Sequence, residues 1–330
     1  MIMVYPMHGI LVFCWIINRS GLLLRSMSGV THNNWFRGRM EGIGTSDLAK
    51  LLPFHKKCSW NVFSHIILKA KLEKSAILNQ DKAILKAKRV SSFSRLAYVG
   101  FLTQLRNWIY KLEPKKTGKT LWSNYAITHT YTTNEAMKKR DFIAEFTKIS
   151  KPRILVDLGC NSRDYSFLSL EKGAEYVVGF DYDQTSIEHA FNRARDMNKP
   201  FLPLVLDASN PSPNQGWMQS ERRGFTERTK SDALLALAFI HHLAIAKNIP
   251  LNEIVIWLVN IAPRGVIEFI PKNDSTIVKM LSLREDIFID YSEDNFELLL
   301  TKQARVIKKQ RISESGRTLY WYENEVRALK

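Results

Sequence analysis

The residues whose types and spacing suit chemistry are concentrated in one short stretch of the chain. An apolar run, Ile154–Val156, ends in Asp157, a tight turn follows at Gly159, and a second apolar run, residues 176–180, ends in Asp181. This pattern predicts a strand, a glycine turn, a helix and a second strand, with an acid about 20 residues beyond the turn. A turn without bulky side chains lets a ligand approach the backbone, and a carboxylate at the next strand end accepts ribose hydroxyls. The stretch therefore predicts a nucleotide-binding site in a parallel sheet.

The turn itself distinguishes between two kinds of ligand. A dinucleotide pyrophosphate requires G-x-G-x-x-G, whereas residues 159–164 read GCNSRD and lack the second and third glycines. S-adenosylmethionine (SAM) has no phosphate, so fewer glycines suffice. The turn resembles the first motif of class I methyltransferases, D-x-G-x-G-x-G, from which Asn161 and Arg163 depart. Asn tolerates a positive φ, and we expect Arg163 to point outward from the helix N-terminus. The alternative is an α/β unit that binds no ligand.

Apolar runs and helical spacings predict the elements that hold this stretch in place. Further strands are predicted at residues 201–206, 232–238, 265–270, 305–312 and 318–323, with helices at residues 185–197, 251–261 and 296–304. The third strand ends at Asp207 and Ala208. Glu268 lies inside an apolar strand and needs a partner, since an unpaired buried carboxylate is costly.

Two adjacent histidines, His241 and His242, follow the predicted fourth strand. A histidine there can serve as a general base with a pKa near the working pH, although we expect at least one of the pair to cap or pack. We expect no metal site, because two adjacent histidines without a third ligand do not form one. The three cysteines, Cys14, Cys58 and Cys160, are too scattered for a disulfide framework or a zinc site. They fit a reducing cytoplasm.

The N-terminal half of the chain is strongly basic. Residues 1–150 contain 24 Lys and Arg against 8 Asp and Glu, whereas residues 151–330 contain 24 of each. The net charge of +16 therefore comes from the first half. Such an excess attracts nucleic acid, anionic lipid or an acidic substrate. The alternative is a basic face that is only solvated.

Helical spacing recurs through the basic half, and the loop that ends it predicts a division into two domains. A boundary loop at residues 113–119 divides a mainly helical basic region, residues 1–119, from a second domain, residues 120–330. Residues 1–17 are apolar but interrupted by Pro6, His8 and Gly9. We expect them to form a buried edge of the first domain rather than a membrane span.

Several strings of the sequence together resemble one bacterial family. They are DLGCNSRDYS, PLVLDASNPSP, GWMQSERRGF, LALAFIHHLAI, GVIEFIPKNDS, REDIFIDY and SGRTLYWYE. Over residues 42–323 the chain is similar to the NoeA-type host-specificity nodulation proteins, which are class I SAM-dependent methyltransferases, and Arg163 stands where that family has glycine. The resemblance implies an α/β, Rossmann-like fold with a seven-stranded mixed sheet, an antiparallel last hairpin and a mainly helical N-terminal extension.

The resemblance also implies SAM as cofactor and roles for individual residues. From the methionine end to the adenine end, the cofactor residues are Asp157, Gly159 and Asn161, then Asp181 and Tyr182 at the ribose, and Asp207 and Ala208 at the adenine. On the acceptor side the candidates are His241 first, then its neighbour His242 and Tyr125, which lies in a segment that commonly covers the cofactor. The expected function is transfer of a methyl group from SAM to an acceptor that the resemblance does not identify. The alternative is a SAM-binding or non-catalytic module whose basic half binds RNA or a membrane surface.

Overall fold

The computed structural model describes residues 20–30, 33–78, 94–112, 131–161, 164–282 and 284–324. Predictions about residues 1–17, the boundary loop 113–119, Tyr125 and Arg163 lie outside these ranges. The described residues form two compact units, of which the first contains those before residue 119 together with Gln215–Arg222, and the second contains the rest. No described helix is both long and apolar enough to cross a membrane.

Helices make up the first unit as far as it is described. They are α1 (20–28), α2 (Asn33–Gly38), α3 (Thr45–Leu51), α4 (Phe54–Lys57), α5 (Trp60–Val62), a π-helical turn (Phe63–Ile67) that continues into α6 (Leu68–Leu78), and α7 (Arg95–Tyr110). Their core includes the buried side chains of Leu48, Leu52, Ile66 and Trp108. Helix α7 packs on the π-helical turn, where the ring centroids of His65 and Trp108 are 5.6 Å apart.

The second unit is built on one twisted sheet with helices on both faces. The strands are β1 (Ile154–Leu158), β2 (Tyr176–Asp181), β3 (Phe201–Val205), β4 (Ala233–Ala236), β5 (Arg264–Phe269), β6 (Arg305–Arg311) and β7 (Thr318–Glu323). The helices are α8 (Thr133–Ser150), α9 (Asp164–Lys172), α10 (Gln184–Asp196), α11 (Phe225–Arg228), α12 (Leu251–Ile261), α13 (Ser275–Leu281) and α14 (Glu293–Gln303). The strand order is β3-β2-β1-β4-β5-β7-β6, in which β1 to β5 are parallel and β7 is antiparallel to both neighbours.

The central strands are apolar on both sides because helices cover both faces of the sheet. Successive residues of a strand point to opposite faces, so Val156 of β1 joins one apolar cluster with Leu258 of α12. Its neighbour Leu155 joins the opposite cluster with Phe142 of α8. This layering confirms the predicted α/β fold, a seven-stranded mixed sheet with an antiparallel last hairpin.

In the connection from β3 to β4, hydrogen bonds within the second unit join the residues just before Gln215–Arg222 to those just after. The Phe225 N–H donates to the Ser212 carbonyl oxygen at 2.8 Å, and the Gly224 N–H donates to the Asn214 side chain. A Cβ at Gly224 would lie 2.7 Å from the Ser212 oxygen, so glycine is needed at this crossing. The intervening residues Gln215–Arg222 belong to the first unit, where the Gln215 amide donates to the last turn of α2.

Candidate active site

A cleft opens beyond the carboxyl ends of β1, β2, β3 and β4. It contains about 1010 Å³ of empty space, part of which is open to solvent. The strand order reverses between β1 and β4, and in open parallel sheets this switch point is where ligands bind. The cleft is therefore the candidate active site of the second unit.

The glycine turn after β1 forms one wall of the cleft. Gly159 has a φ of 76°, and its N–H donates to the Phe180 carbonyl oxygen at 2.7 Å. A Cβ at this position would lie 3.2 Å from the Phe239 ring. Asn161 also has a positive φ, 31°, which Asn tolerates better than most residues. The turn therefore presents backbone rather than side chains to the cleft.

Asp181 ends β2 and faces the cleft with its carboxylate. Its Oδ2 accepts the Asn161 N–H at 3.0 Å, and its Oδ1 accepts the Asp183 N–H at 2.8 Å. Burial raises the pKa of Asp181 and the two backbone donors oppose that shift. Because a carboxylate has about four acceptor sites, each oxygen can still accept another hydrogen bond.

Asp207 lies in the same cleft just after β3. The Ser209 N–H and hydroxyl donate to its Oδ1 at 3.1 and 2.6 Å. Its Oδ2 accepts no hydrogen bond from the residues that the structure describes. One oxygen is thus fixed by its own turn, and the other remains able to accept a donor from a ligand.

Asp157 is buried behind the glycine turn and does not line the cleft. The Ser166 hydroxyl of α9 donates to its Oδ2 at 2.5 Å. Burial raises the pKa of Asp157 to about 6, and the Ser166 bond partly offsets this. Asp157 therefore fixes the start of α9 against β1, which orients the turn from below.

The two histidines after β4 occupy different environments. His242 lines the cleft, whereas His241 does not and is 1% exposed. Among the described residues, neither ring nitrogen of His241 has a hydrogen-bond partner. Burial lowers the pKa of His242 to about 4 and that of His241 well below its ordinary value. Both rings are therefore neutral near pH 7, and His242 is the histidine that faces the cleft.

The end of β4 is held by a buried ion pair. Ala238 lines the cleft in a left-handed conformation with φ 49°, and its N–H donates to Glu268 Oε2 at 2.8 Å. Lys139 Nζ of α8 lies 2.7 Å from the same oxygen, and the Tyr131 hydroxyl donates to Oε1 at 2.6 Å. The partner that Glu268 was expected to need is Lys139, and the pair fixes a strained backbone position in the cleft wall.

Most residues predicted for the site converge on the cleft. Those that line it are Gly159, Asn161, Asp181, Tyr182, Asp207, Ala208 and His242. Asp157 and His241 lie behind the wall, and Tyr125 is outside the described residues. The cleft also has lining residues for which the sequence predicts no role: Leu158, Phe180, Asp183, Leu206, Ser209, Leu237, Ala238, Phe239, Leu243, Ala246 and Lys247. Most of them lie within two positions of a strand end, so the switch-point rule applied residue by residue identifies them.

The groups that line the cleft could hold SAM. Asp181 and Asp207 each retain acceptor capacity for hydroxyl or amino donors, and the wall beside Gly159 is backbone. The remaining lining is mainly apolar, as expected for an adenine pocket. Within the described parts of the chain, no three His, Cys, Asp or Glu side chains are arranged to hold a metal ion.

The strand order, the glycine turn and the acids at the strand ends define a Rossmann-like α/β fold with a ligand cleft at its switch point. The chain is a relative of nodulation protein NoeA of Rhizobium meliloti (strain 1021), with 47% identity over 302 residues. This match covers 92% of the chain and 63% of that longer protein. No protein-family profile matches the chain.

Two solved methyltransferase structures are more distantly similar. The N-methyltransferase NodS from Bradyrhizobium japonicum WM9 is 10% identical, with a TM-score of 0.43 over 58% of this chain and 97% of that one. The rRNA methylase from Escherichia coli is 16% identical, with a TM-score of 0.39 over 58% of this chain and 65% of that one. These TM-scores lie below 0.5, and the fold assignment rests on the strand order of the sheet itself.

Proposed function

We propose that the chain is a SAM-dependent methyltransferase. The observation that carries the proposal is the convergence of the Asp181 carboxylate, the Asp207 carboxylate and the Gly159 turn on one cleft at the switch point. Asp181 would accept the ribose hydroxyls, and Asp207 with Ala208 would contact the adenine. Gly159 and Asn161 would approach the methionine moiety, while Asp157 holds their turn in place through Ser166.

The acceptor side of the reaction is assigned to His242. Bound SAM supplies an electrophilic methyl group on a sulfonium sulfur. The chain mainly has to align a nucleophile with that group and exclude water. A neutral His242 with a pKa of about 4 is a weak base, so its role is to accept a hydrogen bond from the acceptor and orient its lone pair. His241, buried behind the cleft wall, supports this position rather than touching the acceptor.

The alternative of a non-catalytic SAM-binding module makes the same contacts to the cofactor without turnover. The open cleft beside His242 and Lys247 favours catalysis. The described side chains leave space next to the turn that would hold the methionine, and a methyl acceptor could occupy that space. The binding of an anionic partner by the basic half remains a separate prediction.

The proposal is tested by a binding and a labelling experiment on the same preparation. Asp181→Ala removes an ionised acceptor of two hydroxyls, and we expect about a 10- to 150-fold weaker dissociation constant for SAM in calorimetric titration, from about 1.5–3 kcal/mol for such bonds. Asp196→Ala, at the exposed end of α10, is the matched control and should bind normally. An unchanged dissociation constant for Asp181→Ala contradicts the ribose assignment.

Turnover is measured with methyl-labelled SAM and fractionated bacterial extract. The wild-type chain should label one fraction, and His242→Ala should lower the rate of labelling while leaving SAM binding largely intact. A chain that binds SAM but labels no fraction contradicts the proposed activity and favours the non-catalytic alternative.

A further inference from the structure

An exposed apolar segment lies in the first unit, away from the proposed chemistry. Leu51, Phe54 and Trp60 are 57%, 82% and 69% exposed. The chain between them is compact: Lys56 N–H donates to the Pro53 carbonyl oxygen at 3.0 Å. Large side chains this exposed within ten residues form a patch of the kind that marks an interaction site.

The core of the first unit does not need these three side chains. The same stretch supplies its own buried residues, since Leu52 and Val62 are 3% and 4% exposed and Ile66 is fully buried. The exposed residues of this stretch are therefore additional to the core.

The charge around the patch is of one sign. Residues 48–72 contain five lysines and no Asp or Glu. Lys56 and Lys57 lie between Phe54 and Trp60, and neither forms an ion pair with the described residues. The acid that precedes the stretch, Asp47, is already bonded to Arg39 at 3.1 Å. Over the described ranges before residue 113 the count is 12 Lys and Arg against 3 Asp and Glu.

Helix α7 repeats this combination on its outer face. Leu105 and Trp108 are buried, whereas Leu96, Val99 and Tyr110, which follow helical spacing on the opposite side, are exposed. Aromatic and aliphatic side chains beside lysine and arginine are the composition of surfaces that enter the headgroup region of an anionic bilayer. Nucleic acid is the competing partner, and its bases stack on aromatic rings. The exposed aliphatic side chains of Leu51, Leu96 and Val99 cannot stack with bases, so they favour lipid over nucleic acid.

We propose that the segment 51–60 of the first unit docks on an anionic lipid surface. Phe54, Trp60 and Leu51 enter the headgroup–acyl boundary, while Lys56 and Lys57 contact lipid phosphates. This role is independent of the proposed methyl transfer and brings the chain to a membrane surface.

The test uses the full chain and vesicles of equal parts phosphatidylglycerol and phosphatidylcholine, compared with phosphatidylcholine alone. Wild type should co-sediment with the anionic vesicles, less so at high salt. Phe54→Ala/Trp60→Ala and Lys56→Gln/Lys57→Gln should each weaken binding at least fivefold. Ile287→Ala/Ile289→Ala is the matched control, because those side chains are 60% and 88% exposed in the second unit, and it should bind like wild type. Far-UV circular dichroism verifies that each variant is folded.

A second readout reports the segment directly. Cys58 is exposed within the patch and Cys160 is buried, so Cys14→Ser protein can be labelled at Cys58 with an environment-sensitive dye. Its emission should shift to the blue with anionic vesicles and not with phosphatidylcholine. Absence of vesicle binding, equal binding by Phe54→Ala/Trp60→Ala, or retention by single-stranded RNA in place of vesicles would each overturn the proposal.

Discussion

The buried ion pair between Lys139 and Glu268 makes a sharp prediction about stability. The side chains are 3% and 0% exposed, and Nζ lies 2.7 Å from Oε2. Lys139→Met leaves a buried carboxylate without its cation, which typically costs 3–5 kcal/mol. The Tyr131 hydroxyl and the Ala238 N–H still donate to that carboxylate, so we expect a loss near the lower end, about 3 kcal/mol. That is a large share of the roughly 5–15 kcal/mol of a typical domain.

The assay is urea denaturation of the full chain, in which unfolding is monitored by tryptophan fluorescence. Lys139→Met/Glu268→Gln should recover about 1–2 kcal/mol relative to Lys139→Met, because a neutral amide can still accept from Ala238 and no charge is left buried. Lys308→Met is the matched control. Its pair with Glu145 is equally short, 2.6 Å, but the side chains are 37% and 47% exposed, so the loss should stay within about 1 kcal/mol. The reasoning is refuted if Lys139→Met costs no more than Lys308→Met, or if the double variant loses the sum of both single changes.

Three further predictions concern the cleft. Burial raises the pKa of Asp157 from 3.8 to about 6, so the folded state binds this proton more tightly than the unfolded state and stability falls as pH rises from about 4 to 6. Asp157→Asn should reduce that slope in urea titrations, to which Asp181 also contributes, and add on the order of 3 kcal/mol at pH 7.5. An unchanged slope would contradict the burial argument. Gly159→Ala places a Cβ on a left-handed residue, 3.2 Å from the Phe239 ring. The free energy of unfolding should fall by about 1–2 kcal/mol and SAM binding should weaken. Normal SAM binding would show that the turn does not approach the ligand. Because burial lowers the pKa of His242 to about 4, its ring resonances in NMR should not shift between pH 5.5 and 8, and an inflection near 6.5 would place His242 in water.

Local signals in the sequence were sufficient for the elements of the sheet. A strand alternates or is apolar throughout, and the runs at β2 and β3 are each followed by an acid, so Asp181 and Asp207 could be placed at strand ends in advance. Their convergence follows from parallel topology, since carboxyl ends of adjacent parallel strands meet at one edge. The position of these two acids in the cleft was therefore predictable from the sequence.

The choice between His241 and His242 depends on rotation about a helical axis. Successive residues of a helical turn point in different directions. His242 begins a π-helical turn (His242–Ala246) and lines the cleft, whereas His241 precedes the turn and does not. Ala238, a few residues before this turn, has a left-handed conformation that changes the direction of the chain. Alanine gives no sequence signal for a positive φ, and for that reason the order of preference between the histidines could not be derived from residue types.

Glu268 shows the same limit for pairing across the fold. An acid inside an apolar strand signals that a partner exists, because its desolvation must be compensated. Its partner Lys139 is 129 residues away in the sequence, on a helix that packs against the sheet through Phe142 and its neighbours. The same carboxylate accepts the N–H of Ala238, so one buried charge joins α8 to the cleft wall. A residue predicted only to need a partner thus bonds to two elements that are far apart in the sequence.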